Sequence, residues 1–357
     1  MKKKTTKPMM KKLLKTSDNT FMVGEFDKRF FNHDYELLFN TNTGVEVLRG
    51  INGHSDPFQL EFPSMLDVGI MGHCINNCEI CYQGRTYEDN MTLDNFKKII
   101  DEAKYHANQV ALGGRGDPNL HENFKEILEY CRENNVVPNY TTSGNNLTDE
   151  QIEISKICGA VAVSDYRKDY SYSALQRLTD AKIKTNLHFV LTRHTYEDAL
   201  KIIYGHNPWR TNGNQDSLFD INKLNAVVFL LFKPQGQALN LIDFTPTPNQ
   251  LKTFSELVIK PSCKVKVGMD SCLVNHVLQY VEMSDMQKMS VDSCESSRMS
   301  VYISPSMHLI PCSFADHEKC GVSIKKKSIF KVWNNAPEFK RFRKILKKNP
   351  YTCPAGF

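Results

Sequence analysis

The sequence predicts an α/β protein organised around a parallel sheet. Two observations carry that expectation. From about residue 62 onward, short apolar runs alternate with amphipathic stretches of roughly ten residues or more, and the alternation repeats six times before stopping near residue 240. Strands and helices in strict alternation favour parallel strands joined by right-handed crossovers, in a sheet either open or closed into a barrel. At 357 residues, 41% hydrophobic and 24% charged, the chain can bury one large core and carry a smaller appended module.

The elements follow in chain order. Lys2, Lys3, Lys4, Lys7, Lys11, Lys12 and Lys15 crowd the first 15 residues, and blocks of like charge seldom pack, so a solvated, flexible leader is expected there. Removing these seven from the formal net charge of +5 leaves −2 for the remainder. A nearly neutral body gives no electrostatic case for a nucleic-acid partner. Leu13 and Leu14 are the only adjacent aliphatic residues near the start, too little for the apolar core of a secretory signal. No apolar run reaches the roughly 18 residues of a membrane span. A cytoplasmic protein with no membrane partner is expected, and in that reducing compartment the 11 cysteines point to metal rather than disulfides.

Residues 1–61 are read as the leader plus a small β-hairpin module, in which Tyr35, Leu37 and Phe39 meet Val45, Val47 and Leu48 across a turn from Asn40 to Gly44. Residues 62–240 form the sheet, with strands expected over 65–71, 109–112, 136–140, 160–164, 185–191 and 226–231 and helices over 93–106, 123–134, 149–158, 172–181 and 196–204. Thr148 or Asp149 would cap the third helix. Asn207, Pro208, Gly213 and Asn214 mark the connection over 205–225 as an irregular surface excursion. Residues 241–357, with a helix over 249–260, six cysteines and a basic amphipathic ending, are taken as a second module.

Directly after the first strand come Cys74, Cys78 and Cys81, a C-x3-C-x2-C spacing on a loop. Three thiolates held this closely can ligate three irons of a cubane, leaving the fourth without a protein ligand. Clusters that only carry electrons normally have four cysteine ligands, so a set of three implies a coordination position open for chemistry. Inert buried thiols are the alternative, as is zinc, which usually takes four ligands in a structural site.

The spacing, with Ile80 before the last cysteine and Tyr82 after it, closely resembles the cluster-binding loop of the radical S-adenosylmethionine superfamily. The resemblance implies a [4Fe-4S] cluster whose open iron is chelated by the amino and carboxylate groups of S-adenosylmethionine. One electron, delivered by a donor such as flavodoxin or ferredoxin, would break the sulfonium bond and give methionine and a 5′-deoxyadenosyl radical that abstracts hydrogen from a substrate. It also implies a partial (β/α)6 barrel, similar to a TIM barrel, with the cluster at its C-terminal rim.

Further segments share the likeness. Gly113-Gly114-Arg115-Gly116-Asp117-Pro118 ends the second strand, where glycines let backbone approach a ligand and a carboxylate can accept from an ammonium group. It resembles the superfamily's GGEP-type segment that holds the amino group of S-adenosylmethionine, departing from it by the extra Arg115 and by Asp in place of Glu. Thr142-Ser143-Gly144 resembles the TNG turn, and Ser164-Asp165 stands where related enzymes place ribose-contacting polar residues. The cofactor-binding set is therefore Gly113, Gly114, Gly116, Asp117, Ser143 and Ser164. Asn186 and His188 alternate on the fifth strand and face either the interior or a hydrogen-bonded core. Lys233-Pro234-Gln235-Gly236-Gln237-Ala238 resembles the family's closing segment beside the adenine.

In the C-terminal module a β-hairpin is expected between Cys294 and Cys312, and a helix from Val332 to Phe342. With Cys353-Pro354-Ala355-Gly356 this layout resembles the auxiliary-cluster region called twitch or SPASM, here short of the full seven-cysteine array. The likeness implies one further [4Fe-4S] cluster on Cys272, Cys294, Cys312 and Cys353, since four thiolates satisfy a single cubane. Cys263 and Cys320 are left over, the latter a candidate hydrogen-atom donor, while Cys131 and Cys158 are assigned no function. Enzymes with such caps commonly modify peptides or protein side chains, which makes peptide or protein maturation the leading expectation. A radical enzyme acting on a small molecule or nucleoside is the nearer alternative, and a non-catalytic iron-sulfur or zinc protein the more distant one.

Overall fold

A computed structural model describes residues 10–15, 20–84, 87–208, 219–262, 264–288 and 291–356, with side chains described from Phe26 onward. At the N-terminus β1 (Met10–Lys15) pairs antiparallel with β2 (Thr20–Phe26). The part of the lysine-rich leader that was expected to be unpacked therefore contributes a paired strand. The expected hairpin is present as β4 (Tyr35–Phe39) and β5 (Glu46–Gly50), with Leu37 opposite Leu48 and Leu38 opposite Val47. Asn40 Oδ1 accepts from the Asn42 and Thr43 amides in its turn, and Gly44 supplies the positive φ of 77° that closes it. A third strand, β3 (Lys28–Phe31), pairs with β4, its four residues too short to show a period.

The main sheet follows the predicted order. Strands β6 (Met65–Met71), β7 (Gln109–Gly114), β8 (Val137–Thr142), β9 (Val161–Ser164), β10 (Thr185–Leu191) and β11 (Ala226–Leu231) lie side by side in sequence, every neighbouring pair parallel. Helices α1 (Leu93–Ala103), α2 (Phe124–Glu133), α3 (Asp149–Ser155), α4 (Asp169–Asp180) and α5 (Tyr196–Ile203) make the crossovers. Thr148 caps α3 in a capping box with Gln151.

The period-two alternation of the strands explains how the sheet is used. Leu66, Val68, Ile70, Val110, Leu112, Val161, Val163, Leu187, Phe189, Val227 and Phe229 are buried beside Phe96, Ile100, Ile127, Leu175 and Ile202 of the helices. On the other face stand Asp67, Ala111, Gly113, Asn139, Thr141, Ser164, Asn186, His188 and Val228, each partly accessible. These are small or polar residues, which leave space where the outer face is filled.

The alternation does not stop at residue 240. It continues through α6 (Pro248–Val258) and β12 (Lys266–Met269), which is parallel to β11. Helix α7 (Ser271–Tyr280) and the short α8 (Asp285–Lys288) follow. Four residues including Gly268, with Lys266 exposed, carry too little pattern to read as a strand. At the opposite margin β13 (Ser300–Ile303) adds parallel to β6, and β14 (His308–Ile310) and β15 (Val322–Ser323) extend it antiparallel. The resulting ten-stranded sheet has β12 and β15 as its edges. Residues beyond 240 thus supply both edges of one sheet.

After α9 (His317–Cys320), the single helix expected to Phe342 is two, α10 (Ile329–Asn335) and α11 (Pro337–Lys348), with Ala336 extended between them. Pro337 forces the break, because its ring bars helical backbone at the preceding residue. Trp333 is wholly buried and donates from Nε1 to the Leu60 carbonyl at 2.9 Å, tying the last helices to the segment entering the sheet.

Candidate active site

Strand β6 delivers the first three cysteines. The loop after Met71 holds Cys74 exposed and Cys78 and Cys81 half-buried, all as free thiols. The Asn76 amide donates to Cys74 Sγ at 3.3 Å and the Cys81 amide to the Cys78 carbonyl at 3.2 Å. Burial pushes the Cys78 thiol up to about 11, partly countered by a hydrogen bond with Tyr166, and the charges of Cys81 and Cys74 add to the rise. Burial raises Cys74 as well, with Asp117 and Cys81 contributing. Cys78 therefore feels both other sulfurs, and Cys74 feels Cys81. Such a set becomes thiolate together only when a bound cation offsets the repulsion.

The spread of the sulfurs bears on which cation. A tetrahedral zinc with bonds of about 2.3 Å draws its sulfurs within roughly 4 Å of one another. Among the described residues the three-ligand group that compact is His33, Asp34 and His54, all exposed in the connections flanking β4 and β5, and it includes no cysteine. The wider cysteine set suits a cubane, in which each thiolate binds its own iron.

Two further strand ends close on this loop. Asn76 Nδ2 donates to Asp117 Oδ2 at 3.2 Å and to Ser143 Oγ at 3.0 Å, while Asn145 Nδ2 donates to Asn76 Oδ1 at 2.9 Å. Asp117 also accepts from the Ser143 amide at 2.7 Å and from the Ser143 hydroxyl. Burial raises its carboxyl pKa, with those bonds pulling the other way. Gly114 has φ of 116°, and a Cβ at Gly116 would strike the His73 carbonyl and come within 3.3 Å of Cys74 Cα. The glycine segment thus touches the cysteine loop by its backbone. Gly113 lies one strand over from Gly69, and its missing side chain faces Asp67.

Ser164 enters this site through Tyr166. The Tyr166 amide donates to its carbonyl, and the Tyr166 phenol, hydrogen-bonded to the Ser164 side chain, reaches Cys78. A cavity of 460 Å³ opens beside Cys78, lined by Asn76, Asp165, Tyr166, Arg167, Thr192 and Phe244 among others. Arg167, with φ of 56°, is held by Asp165 and Asp198, each at 2.9 Å. Neither Tyr166 nor Arg167 was singled out from the sequence. Their roles rest on partners far away in the chain, and a left-handed arginine has no local signature.

The second cysteine set also comes together. Burial pushes Cys272, Cys294 and Cys312 up to about 12 each, and in every case charges of other members of the set add to the rise. Together with Cys353 all six pairs of this foursome interact. Cys320 is buried in the cluster against which Cys312 packs, with Arg341 Nη2 at 3.4 Å from its sulfur, and Cys263 lies outside the described residues.

The segment after β11 straps the two sets together. Gln235 Nε2 donates to the Phe314 carbonyl at 2.8 Å and the Gln237 amide to the Cys81 carbonyl at 2.9 Å, while Gly236 packs without a side chain against the Tyr82 carbonyl. The rings of Tyr82 and Phe314 meet at 4.5 Å.

No protein-family model matches the chain. A Pyrococcus furiosus protein described as a tungsten-containing aldehyde ferredoxin oxidoreductase cofactor-modifying protein is 25% identical over 139 residues, 38% of this chain and 36% of that one, so the match spans little more than a third of the relative. Among solved structures, Streptococcus suis SuiB bound to its precursor peptide SuiA superposes with a TM-score of 0.65 at 14% identity, covering 88% of this chain and 90% of SuiB. SuiB bound to S-adenosylmethionine gives 0.64 at 16% identity, over 84% and 74%. The protein anSMEcpe with bound AdoMet gives 0.57 at 14% identity, over 79% and 80%. The chain has the fold of the radical S-adenosylmethionine enzymes.

Within this radical S-adenosylmethionine fold the inner face of the sheet carries two unusual ionisable groups. His188 is lowered to about 4 by burial, which the Asp270 charge only partly offsets, so it is a neutral imidazole on the inner face. Asp67, beside Gly113 and hydrogen-bonded to Ser313, is raised to about 7 by burial. Its folded-state pKa lies above the unfolded value near 4. Between these values the folded chain keeps a proton that the unfolded chain has lost, so this group's contribution to stability falls as pH rises through that window. Asp67→Asn removes it. The variant is expected to gain melting temperature relative to the parent on going from about pH 5 to about pH 8, read by thermal denaturation at both; a difference that does not change with pH would contradict the assignment.

Proposed function

We propose that the chain is a radical S-adenosylmethionine enzyme that abstracts a hydrogen atom from a peptide or protein side chain. The observation that carries this reading is the binding of the three-cysteine loop, through Asn76, to Asp117 and Ser143 at the ends of the next two strands. Cys74, Cys78 and Cys81 would hold the catalytic [4Fe-4S] cluster and leave one iron to the cofactor. When bound, the pair supplies a 5′-deoxyadenosyl radical by one-electron cleavage of S-adenosylmethionine.

The chain's own residues prepare that site. Asp117, aimed by the Ser143 amide, offers a carboxylate for the cofactor's ammonium group. Gly114 and Gly116 let backbone approach it. Ser164 fixes Tyr166 against Cys78, and the small inner face leaves room for a substrate while the packed helices exclude water. Cys272, Cys294, Cys312 and Cys353 would hold one auxiliary [4Fe-4S] cluster. Residues 62–240 form the catalytic unit in this reading and 241–357 the auxiliary-cluster unit. A flavodoxin or ferredoxin would deliver the electron. Among the described residues no helix is long and apolar enough to cross a membrane, and a cytoplasmic setting would keep the clusters reduced.

The peptide reading is supported by SuiB, whose structure holds a precursor peptide, and by anSMEcpe, which is also described with a bound peptide, Cp18Cys. A small-molecule substrate is the second reading, favoured by the cofactor-modifying relative from Pyrococcus furiosus. The test is anaerobic reconstitution with iron and sulfide, reduction with dithionite in the presence of S-adenosylmethionine, and chromatography for 5′-deoxyadenosine. Its formation is expected; an intact cluster that yields none would overturn the catalytic reading. Mass spectrometry of peptides co-expressed with the chain then separates the two substrate classes.

A further inference from the structure

Lys233 is 6% exposed, and a lysine that deep is rare without a partner and a reason. Its Nζ donates to Asp270 Oδ2 at 2.7 Å and to the Leu231 carbonyl at 3.0 Å, and stands 4.1 Å from the centre of the Phe314 ring. Both outer neighbours lead to cysteines. Asp270 caps α7 by accepting from the Leu273 amide, which places Cys272 in the first turn of that helix. Phe314 lies two residues past Cys312, and its amide donates to that sulfur. The cation therefore bridges the two segments that carry Cys272 and Cys312.

We infer that Lys233, clamped by Asp270, is the fixed counter-charge of the auxiliary cluster and sets its reduction potential. The inference rests on the proposal that Cys272, Cys294, Cys312 and Cys353 hold such a cluster. Reduction adds one electron, and hence one negative charge, to a group already bearing four thiolates. A buried ammonium bridging the segments that carry two of them stabilises the reduced form more than the oxidised one, while a buried carboxylate at the same place does the opposite. Lys233 and Asp270 must therefore act on the potential with opposite signs, which no merely structural role would produce.

The test needs no substrate. In a chain carrying Cys74→Ala, Cys78→Ala and Cys81→Ala, reconstitution leaves only the auxiliary cluster, whose midpoint is read by titration with dithionite followed by electron paramagnetic resonance. Lys233→Met should lower the midpoint by at least the equivalent of a tenfold change in the reduction equilibrium, about 59 mV for one electron. Asp270→Asn should raise it, and Lys233→Arg should leave it near the parent value. If Lys233→Met cannot retain the cluster, Lys233→Gln decides, a fall in the midpoint supporting the inference. Midpoints that stay put, or that move in the same direction for Lys233→Met and Asp270→Asn, overturn it with the auxiliary cluster intact. A triple variant that takes up no cluster iron instead overturns the auxiliary-cluster reading on which it rests, and the two failures are told apart by iron and sulfide counting.

Discussion

Replacing Cys78 by Ala is expected to bring 5′-deoxyadenosine formation down to background, the largest effect anticipated for any single change in this chain. Cys78 is the middle sulfur of the three, half-buried, touched by Tyr166, and within the field of both Cys74 and Cys81. Removing it leaves two thiolates, too few to retain a cubane that already lacks a fourth protein ligand. The fold should survive, because the loop lies beyond the last residue of β6 and contributes nothing to the core between sheet and helices. The distinguishing measurement is iron content beside product: the variant should lose about one cluster's worth of iron and keep the iron bound by the C-terminal cysteines. Full product formation by Cys78→Ala would remove the catalytic assignment.

Gly116→Ala is expected to lower the same activity by about a hundredfold or more without loss of any ligand. The added methyl would meet the His73 carbonyl, which is backbone and cannot swing aside, and would press on Cys74 Cα. The cysteine loop or the glycine segment must then shift, and misplacement by about 1 Å can cost around 100-fold in rate when reacting groups are held by geometry. Thermal denaturation should show a folded protein, and the absorbance of the reconstituted cluster should be retained or only partly reduced. Activity equal to the parent would mean that the close approach of Gly116 to the loop has no part in function.

Much of this architecture was legible because its signals are local. Leu66, Val68 and Ile70, or Leu187, Phe189 and Leu191, alternate with small and polar residues over enough positions to declare strands, and the caps and amphipathic faces between them declare helices. Cys74, Cys78 and Cys81 are close in sequence, so their spacing could be read directly. Asp117 and Ser143 were found because each follows a strand, although the Asn76 side chain that joins them to the loop was not. What escaped depends on distance along the chain. Lys233 meets Asp270 across 37 residues, and β13 meets β6 across a far longer separation; neither pairing leaves a mark on the residues nearby. Strands β3 and β12 were missed for the opposite reason, since Lys28–Phe31 and Lys266–Met269 hold only two large apolar residues each and declare too little pattern.

The placement of β13 beside residues 65–68 means that the first half of the strand bearing the cysteine loop does not present bare amides and carbonyls to solvent on that side. A chain ending at residue 240 would uncover that row, a ready template for stacking one molecule on the next. The C-terminal residues thus work as a stopper against self-association as well as a carrier of thiols, and shortened versions of this protein should be sought in the insoluble fraction.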